Sequence, residues 1–379
     1  MKNFDCIVIG TGGVGSAALY HAARRGLRVA GLDRFPPGHD RGSSHGQTRI
    51  IRQAYFEHPD YVPLVLRAYR LWEDLSASCG EQLYHATGLV QFGPPDGVVL
   101  PGVMASARQH GLAVERLSGA EAMARWPAFR VPPGLEAVYE PQAGYLLVER
   151  CVQAHAASAV GLGAELYTGA AVRAWQADAQ GVCVQTDAES FAARSLIVTA
   201  GAWAGQLLAE LKLRLEVRRK AMYWFRAEGP LYAAARMPCY LYELPEGVFY
   251  GMPRIDHRGI KAAEHSGGLP VTDPLGVDRA IDPCDLARVQ AMISECLPGA
   301  AAQPSDHSVC LYTMSADEHF IVDCHPEYPH VAFAAGLSGH GFKFACVLGE
   351  ALVALVCGEP KPAELAFLGL QRAGIRAAC

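Results

Sequence analysis

Residues Gly10-Thr11-Gly12-Gly13-Val14-Gly15 set three glycines in a G-x-G-x-x-G spacing, after an apolar run and ahead of an alanine-rich stretch. There Gly10 permits a tight turn, Gly12 lets the backbone approach a pyrophosphate, and Gly15 lets a helix pack closely on a strand. A helix opening at Val14 adds N–H donors and the positive end of its dipole. Asp33 closes the next apolar run and supplies a carboxylate where a ribose diol would bind. An acid there argues against NADP and leaves NAD and FAD open. The competing reading is an accidental glycine-rich turn, which the full order of strand, helix, strand and acid disfavours.

Other groups stand ready for charge chemistry. Arg49 and Arg52 lie close to Ser43, Ser44, His45 and Thr48 in a glycine-rich loop, a setting suited to forked hydrogen bonds with phosphate or carboxylate. A solvated loop with structural ion pairs is the plain alternative. Lys343 falls between Phe342 and Phe344, after the turn Gly336-Leu337-Ser338-Gly339-His340-Gly341, and is either snorkelling or held at a site. Cys310, followed by Leu311-Tyr312-Thr313, reads on composition as a core thiol.

Elements must hold these groups in place. Residues 4–9 predict a buried parallel strand, 14–25 a helix and 27–32 a second strand. Residues 61–75 carry leucines and aromatics on one helical face. From 85 to 155 the chain turns to short strand-like pieces and prolines, and 160–205 returns to α/β character with a buried strand at 195–201. Aromatics and turns between 215 and 305 predict an antiparallel sheet. The expected fold is α/β: a Rossmann-type dinucleotide-binding domain with a second, α+β substrate domain on a mainly antiparallel sheet. The first takes 1–84, 156–215 and 306–379, and the second 85–155 and 216–305.

Composition narrows the classes. The 379 residues suffice for two domains, and 51% hydrophobic against 19% charged residues gives core enough to argue against disorder. A net charge of −5 offers no basic balance, so nucleic acid is not expected as a partner. No apolar run approaches the ~18 residues of a membrane span. The start is interrupted by Asp5 and lacks a small-residue cleavage site, so the expected address is cytoplasmic. Twelve cysteines scattered without a C-x-x-C pair argue against zinc and against a disulfide scaffold. No metal is expected.

Gly42-Ser43-Ser44-His45-Gly46-Gln47-Thr48-Arg49-Ile50-Ile51-Arg52 resembles the family of monomeric sarcosine, N-methyltryptophan and pipecolate oxidases. So do Val309-Cys310-Leu311-Tyr312-Thr313, Asp317-Glu318-His319-Phe320-Ile321 and the turn from Gly336 through Phe344. The likeness runs in order from the first strand to about Val356. It implies a flavoprotein with a D-amino acid oxidase-like fold and FAD attached through the Cys310 sulfur. The cofactor would lie against Gly10, Gly12, Val14, Gly15 and Asp33, then Ser43, His45, Thr48 and Arg49, and finally Gly339, Gly341 and Lys343. Arg52 and Lys343 match residues that hold the substrate carboxylate, and Arg49 matches the arginine against the flavin. Tyr250, Tyr312 and His265 match residues lining the substrate cavity. Lys261 matches the lysine associated with oxygen activation, and Lys261-Ala262-Ala263-Glu264-His265 keeps the K-x-x-x-H spacing.

The implied activity is oxidation by O2 of a secondary-amine amino acid such as sarcosine or N-methyltryptophan. The imine would hydrolyse to formaldehyde and the primary amino acid, with hydrogen peroxide as co-product. A cyclic imino acid such as pipecolate or proline is the alternative substrate; an NAD-dependent dehydrogenase and a non-catalytic flavin-binding protein are more distant readings. The expected assembly is a monomer. Ser44 and Gln47 look like the pipecolate branch, whereas Tyr223-Trp224-Phe225-Arg226-Ala227 looks closer to the N-methyltryptophan branch. Residues 270–283 read as an insertion, and a reshaped loop over 266–283 is a candidate gate.

Overall fold

The computed structural model describes residues 1–377; Cys379 and the end of the expected segment 306–379 lie outside the described residues. The apolar strand Lys2–Ile9 pairs in parallel with Val29–Leu32 on one side and Ser190–Val198 on the other. Glu165–Tyr167 extends the sheet beyond Val29–Leu32, and Val331–Ala335 joins in parallel at Leu196 to Val198. Three further strands complete an eight-stranded sheet. Strands buried on both faces carry near-continuous apolar sequence, which is why 4–9 reads as a run rather than an alternation. Helices Gly13–Arg24, Tyr61–Cys79, Val148–Gly161 and Ala345–Val356 cover one face around Val8, Val29, Ile197 and Ala332. The expected second strand at 27–32 is shorter, Val29–Leu32, because Gly26 with φ +76° and Leu27 still complete the turn after the helix.

A nine-stranded, mainly antiparallel sheet forms the second layer system. Its order is Leu269–Pro270, Leu215–Ala227, Ile260–Glu264, Gly247–Met252, Cys239–Leu244, Leu89–Gly93, Glu136–Glu140 and Glu115–Ser118, with Ala300–Ser315 on the other edge of Leu215–Ala227. A small sheet of Thr48–Ile51, Gly144–Leu147 and Tyr84–His85 carries the charged loop. All four expected domain limits fall inside elements: 84/85 within strand Tyr84–His85, 155/156 within helix Val148–Gly161, 215/216 within strand Leu215–Ala227, and 305/306 within strand Ala300–Ser315. Of the expected insertion at 270–283, residues 271–282 are irregular and lead into helix Pro283–Cys296. They are pinned by Arg219, which donates to the carbonyls of Asp278 and Ala280, and by Arg279, which donates to those of Val309 and Arg41.

Candidate active site and cofactor cavity

The three glycines do what their spacing predicts. Gly10 adopts φ +83°, and a Cβ on Gly15 would sit 1.7 Å from the Gly10 carbonyl oxygen and 2.5 Å from Thr199 Oγ1. A Cβ on Gly12 would instead project into space, with Ser44 Oγ at 3.8 Å. That space is a cavity of about 290 Å³. It extends from Asp33 and Trp203, past Gly12, Val14, Ser43 and Arg49, to Leu311, Tyr312, Thr313, Gly339 and Gly341. The Asp33 carboxylate accepts from the backbone N–H groups of Thr11 at 2.6 Å and Phe35 at 2.9 Å. The buried hydroxyl of Thr313, on the cavity wall, has no hydrogen-bond partner among the described residues, and neither has that of Thr48. Room over Gly12, a carboxylate at Asp33 and the waiting Thr313 hydroxyl fit a dinucleotide cofactor.

A second cavity of about 60 Å³ shares Arg49, Tyr312, Gly339 and Phe342 with the first. Arg52, Glu57, Tyr250, His265, His340 and Lys343 supply its polar wall, and Ile50, Phe56, Leu89 and Leu241 its apolar one. Arg52 Nη2 donates to both oxygens of Glu57, and its guanidinium lies over the rings of Tyr55 (4.1 Å) and Phe56 (4.4 Å). Burial opposes ionisation of Glu57, yet Arg52, His340 and Lys343 hold its carboxyl down to about 2. Lys343 Nζ donates to the His340 carbonyl at 2.8 Å and to the Tyr55 hydroxyl at 3.3 Å. Burial, reinforced by Arg52 and Arg49 and opposed by Glu57, brings it down to about 7. Burial likewise lowers His265 to about 4, so it is neutral near pH 7; its Nδ1 lies 3.5 Å from the Tyr312 hydroxyl.

Lys261 and Cys310 lie close to Arg49, which lines both cavities. Lys261 is 1% exposed and lies outside both cavity walls. Its Nζ donates to the carbonyls of Gly46 at 2.6 Å and Thr48 at 2.9 Å, with the Trp224 ring 5.4 Å away. Arg49 donates to the same Thr48 carbonyl and to that of Ser43, each at 2.9 Å. Those carbonyls are set by left-handed backbone at Gly46 (φ +86°) and Gln47 (φ +73°), whose N–H groups both donate to Glu149. Burial, then Arg49, pushes the Lys261 ammonium well below the usual lysine range. Cys310 is buried opposite Lys220 on paired strands. The wall of the large cavity is made by its neighbours Leu311, Tyr312 and Thr313 rather than by Cys310 itself.

The structure therefore brings Arg52, Lys343, Tyr250, His265, Tyr312 and Arg49 around one small cavity. Gly10, Gly12, Val14, Asp33, Ser43, Arg49, Gly339 and Gly341 line the large one. Gly15, His45 and Thr48 support that wall from behind: Gly15 through helix packing, His45 through a contact of Nε2 with the Gly42 carbonyl (3.1 Å), and Thr48 through its carbonyl. Glu57, His340 and Glu149 were not anticipated. Glu57 had one sequence signal, an acid five residues beyond Arg52; the long-range role of Glu149 had none. Among the described residues no cluster of potential metal ligands occurs, and no helix is long and apolar enough to cross a membrane.

Residues 5–355 match the model of the DAO family, the FAD dependent oxidoreductases, and the chain belongs to that family. The NAD-or-FAD ambiguity of the glycine motif thus resolves to FAD. Within the family, the chain is 36% identical to monomeric sarcosine oxidase of Bacillus sp. (strain B-0618), covering 99% of this chain and 97% of that protein. It is 38% identical to N-methyl-L-tryptophan oxidase of Yersinia pestis (strain Pestoides F), covering 98% and 99%. In fold it matches NikD, an unusual amino acid oxidase, with a TM-score of 0.88 at 24% identity over the whole of both chains. It also matches glycine oxidase from Geobacillus kaustophilus, with a TM-score of 0.83 at 22% identity over 98% and 99%.

Proposed function

We propose that this chain oxidises the secondary amine of an N-methyl amino acid, such as sarcosine or N-methyltryptophan, with O2 as acceptor. Water hydrolyses the imine product to formaldehyde and the primary amino acid, and O2 leaves as hydrogen peroxide. The observation that carries this reading is the small cavity, where Arg52 and Lys343 stand beside Tyr250 and His265 at the junction with the cofactor cavity. Bound FAD supplies the two-electron acceptor and passes the electrons on to O2. The protein's part is orientation and charge: Arg52 and Lys343 hold the carboxylate and so fix which C–H faces the cofactor. His265, kept neutral by burial, leaves the amine free of a competing cation. Lys261, when protonated, offers a positive charge where negative charge develops on oxygen, and its two carbonyl acceptors at Gly46 and Thr48 counter the burial that favours loss of its proton.

Cys310 is the proposed point of covalent attachment, supported by its burial immediately before Leu311, Tyr312 and Thr313, which line the cofactor cavity. The eight-stranded sheet and its helices form the FAD-binding domain, and the nine-stranded sheet the substrate domain. These alternate as 1–84, 156–215 and 306–379 against 85–155 and 216–305, apart from the elements that straddle those limits. A monomer working in the cytoplasm is proposed, a setting in keeping with free cysteines throughout the described residues. A screen of purified enzyme for peroxide and formaldehyde tests the activity. Stoichiometric release of both from N-methyl amino acids is expected; peroxide from pipecolate or proline alone would overturn the choice of substrate in favour of a cyclic imino acid.

A further inference from the structure

The nine-stranded sheet aligns one row of side chains towards the small cavity. Gln91 stands opposite Leu241, Leu241 opposite Tyr250, and Tyr250 opposite Ala263. Residues paired in this way share a face, as do residues two apart on one strand. Gln91 therefore faces the same way as Leu89, Leu241 and Tyr250, and all three of these line the cavity. At a strand spacing of about 4.8 Å, Gln91 is one strand past Leu241 and two past Tyr250. It is 0% exposed, and among the described residues neither Oε1 nor Nε2 has a hydrogen-bond partner.

The side chains packed about it are apolar, and Glu140, buried on the same face opposite Leu89, accepts instead from the backbone N–H groups of Gln53 and Ala54. Val138, its partner on the other side, joins Leu241, Val99, Val103 and Ala54 in one apolar cluster, with Phe56 packed against it. A fully buried amide with both ends unpaired is rare and costly, and although Gln91 is not itself on the cavity wall, its same-face neighbours Leu89 and Leu241 are, as is Phe56 packed against the same cluster. We propose that Gln91 is a specificity-determining residue, whose amide hydrogen-bonds a polar group on the side chain of the amino-acid substrate. This rests on the reading that the substrate carboxylate sits at Arg52 and Lys343. Among N-methyl amino acids it favours, without excluding the others, those whose side chain carries a hydrogen-bonding group such as an amide, a hydroxyl or an indole N–H. A hydrocarbon side chain of the same shape leaves Gln91 unpaired, and sites built to hydrogen-bond a substrate group discriminate strongly against analogues lacking it.

Pairs of equal shape test this in the holoenzyme: N-methyl-L-asparagine against N-methyl-L-leucine, and N-methyl-L-threonine against N-methyl-L-valine. The expected result is a kcat/KM ratio of at least about tenfold for the polar member, collapsing or inverting in Gln91→Met, which keeps length and volume. Each ratio is taken within one enzyme, so a general loss of activity or folding cancels. L-Asparagine and L-leucine, titrated without oxygen against the flavin absorbance, should show the same preference in Kd. A ratio near one in the wild type, as a buried water on Gln91 would give, overturns the proposal; so does a ratio unchanged in Gln91→Met. If no N-methyl amino acid is oxidised, it is the activity that has been misread, and the titration still decides on Gln91.

Discussion

Arg52 gives one guanidinium nitrogen to both carboxylate oxygens of Glu57, at 2.6 Å each, on the wall of the small cavity. A substrate carboxylate held by Arg52 must therefore share or displace an internal one. Glu57→Gln removes the competing charge, and carboxylate inhibitors should bind on the order of tenfold more tightly, because charged hydrogen bonds are each worth ~1.5–3 kcal/mol. Arg52→Ala should weaken them by ~2–5 kcal/mol, roughly 30-fold to several-thousand-fold. Titration of both variants with propionate checks this; equal affinity in all three proteins would remove Arg52 from the carboxylate site.

Lys343 carries the pH dependence. Burial and the neighbouring arginines bring it down to about 7, so it is charged below that pH and neutral above it. An anion binds the charged form, which means affinity is greatest at low pH and falls as pH rises through about 7. The fall is up to tenfold per unit until the pKa of the complex is reached. Propionate, which has no amine to titrate, should show this between pH 6 and 9, and Lys343→Met should give a flat profile.

Lys261 should act on oxygen and little on the amine. A fixed charge in a dry site stabilises negative charge on O2 better than water does, with little reorganisation. In Lys261→Met, stopped-flow traces should show the oxygen-consuming half-reaction slowed by orders of magnitude, with anaerobic oxidation of the amine far less changed. Two unaltered half-reactions would make Lys261 a structural bolt for the Gly46–Thr48 backbone.

Covalent attachment has a direct assay. Acid-precipitated wild-type protein should keep its yellow colour in the pellet, and Cys310→Ala should release it to the supernatant. Complete release from the wild type would leave Cys310 as the core thiol that its composition suggests.

Local signals in the sequence were the readable ones. Gly10, Gly12 and Gly15 declared their roles because each acts within a single strand–turn–helix unit, and the structure gives each the predicted contact or open space. Lys261 and His265 could be placed on one face from strand periodicity alone. Glu57 could not be set against Arg52, because their meeting depends on the loop from Gln53 to Phe56, whose first two N–H groups are held by Glu140 far along the chain. Gln91 gave no signal either. Within an apolar strand it reads as an outward polar residue, and its inward face follows from neighbours on two other strands.

The Thr48 carbonyl oxygen accepts from both Arg49 and Lys261. One oxygen thus serves as a shared hinge pin for two cations assigned to different tasks, one beside the cofactor and one on oxygen. Removing either lets that peptide unit rotate towards the other, so the survivor is no longer the group it was. Free-energy effects of altering Arg49 and Lys261 are consequently non-additive, and a double-mutant cycle between them measures the stiffness of a single peptide plane as much as the charge on either side chain.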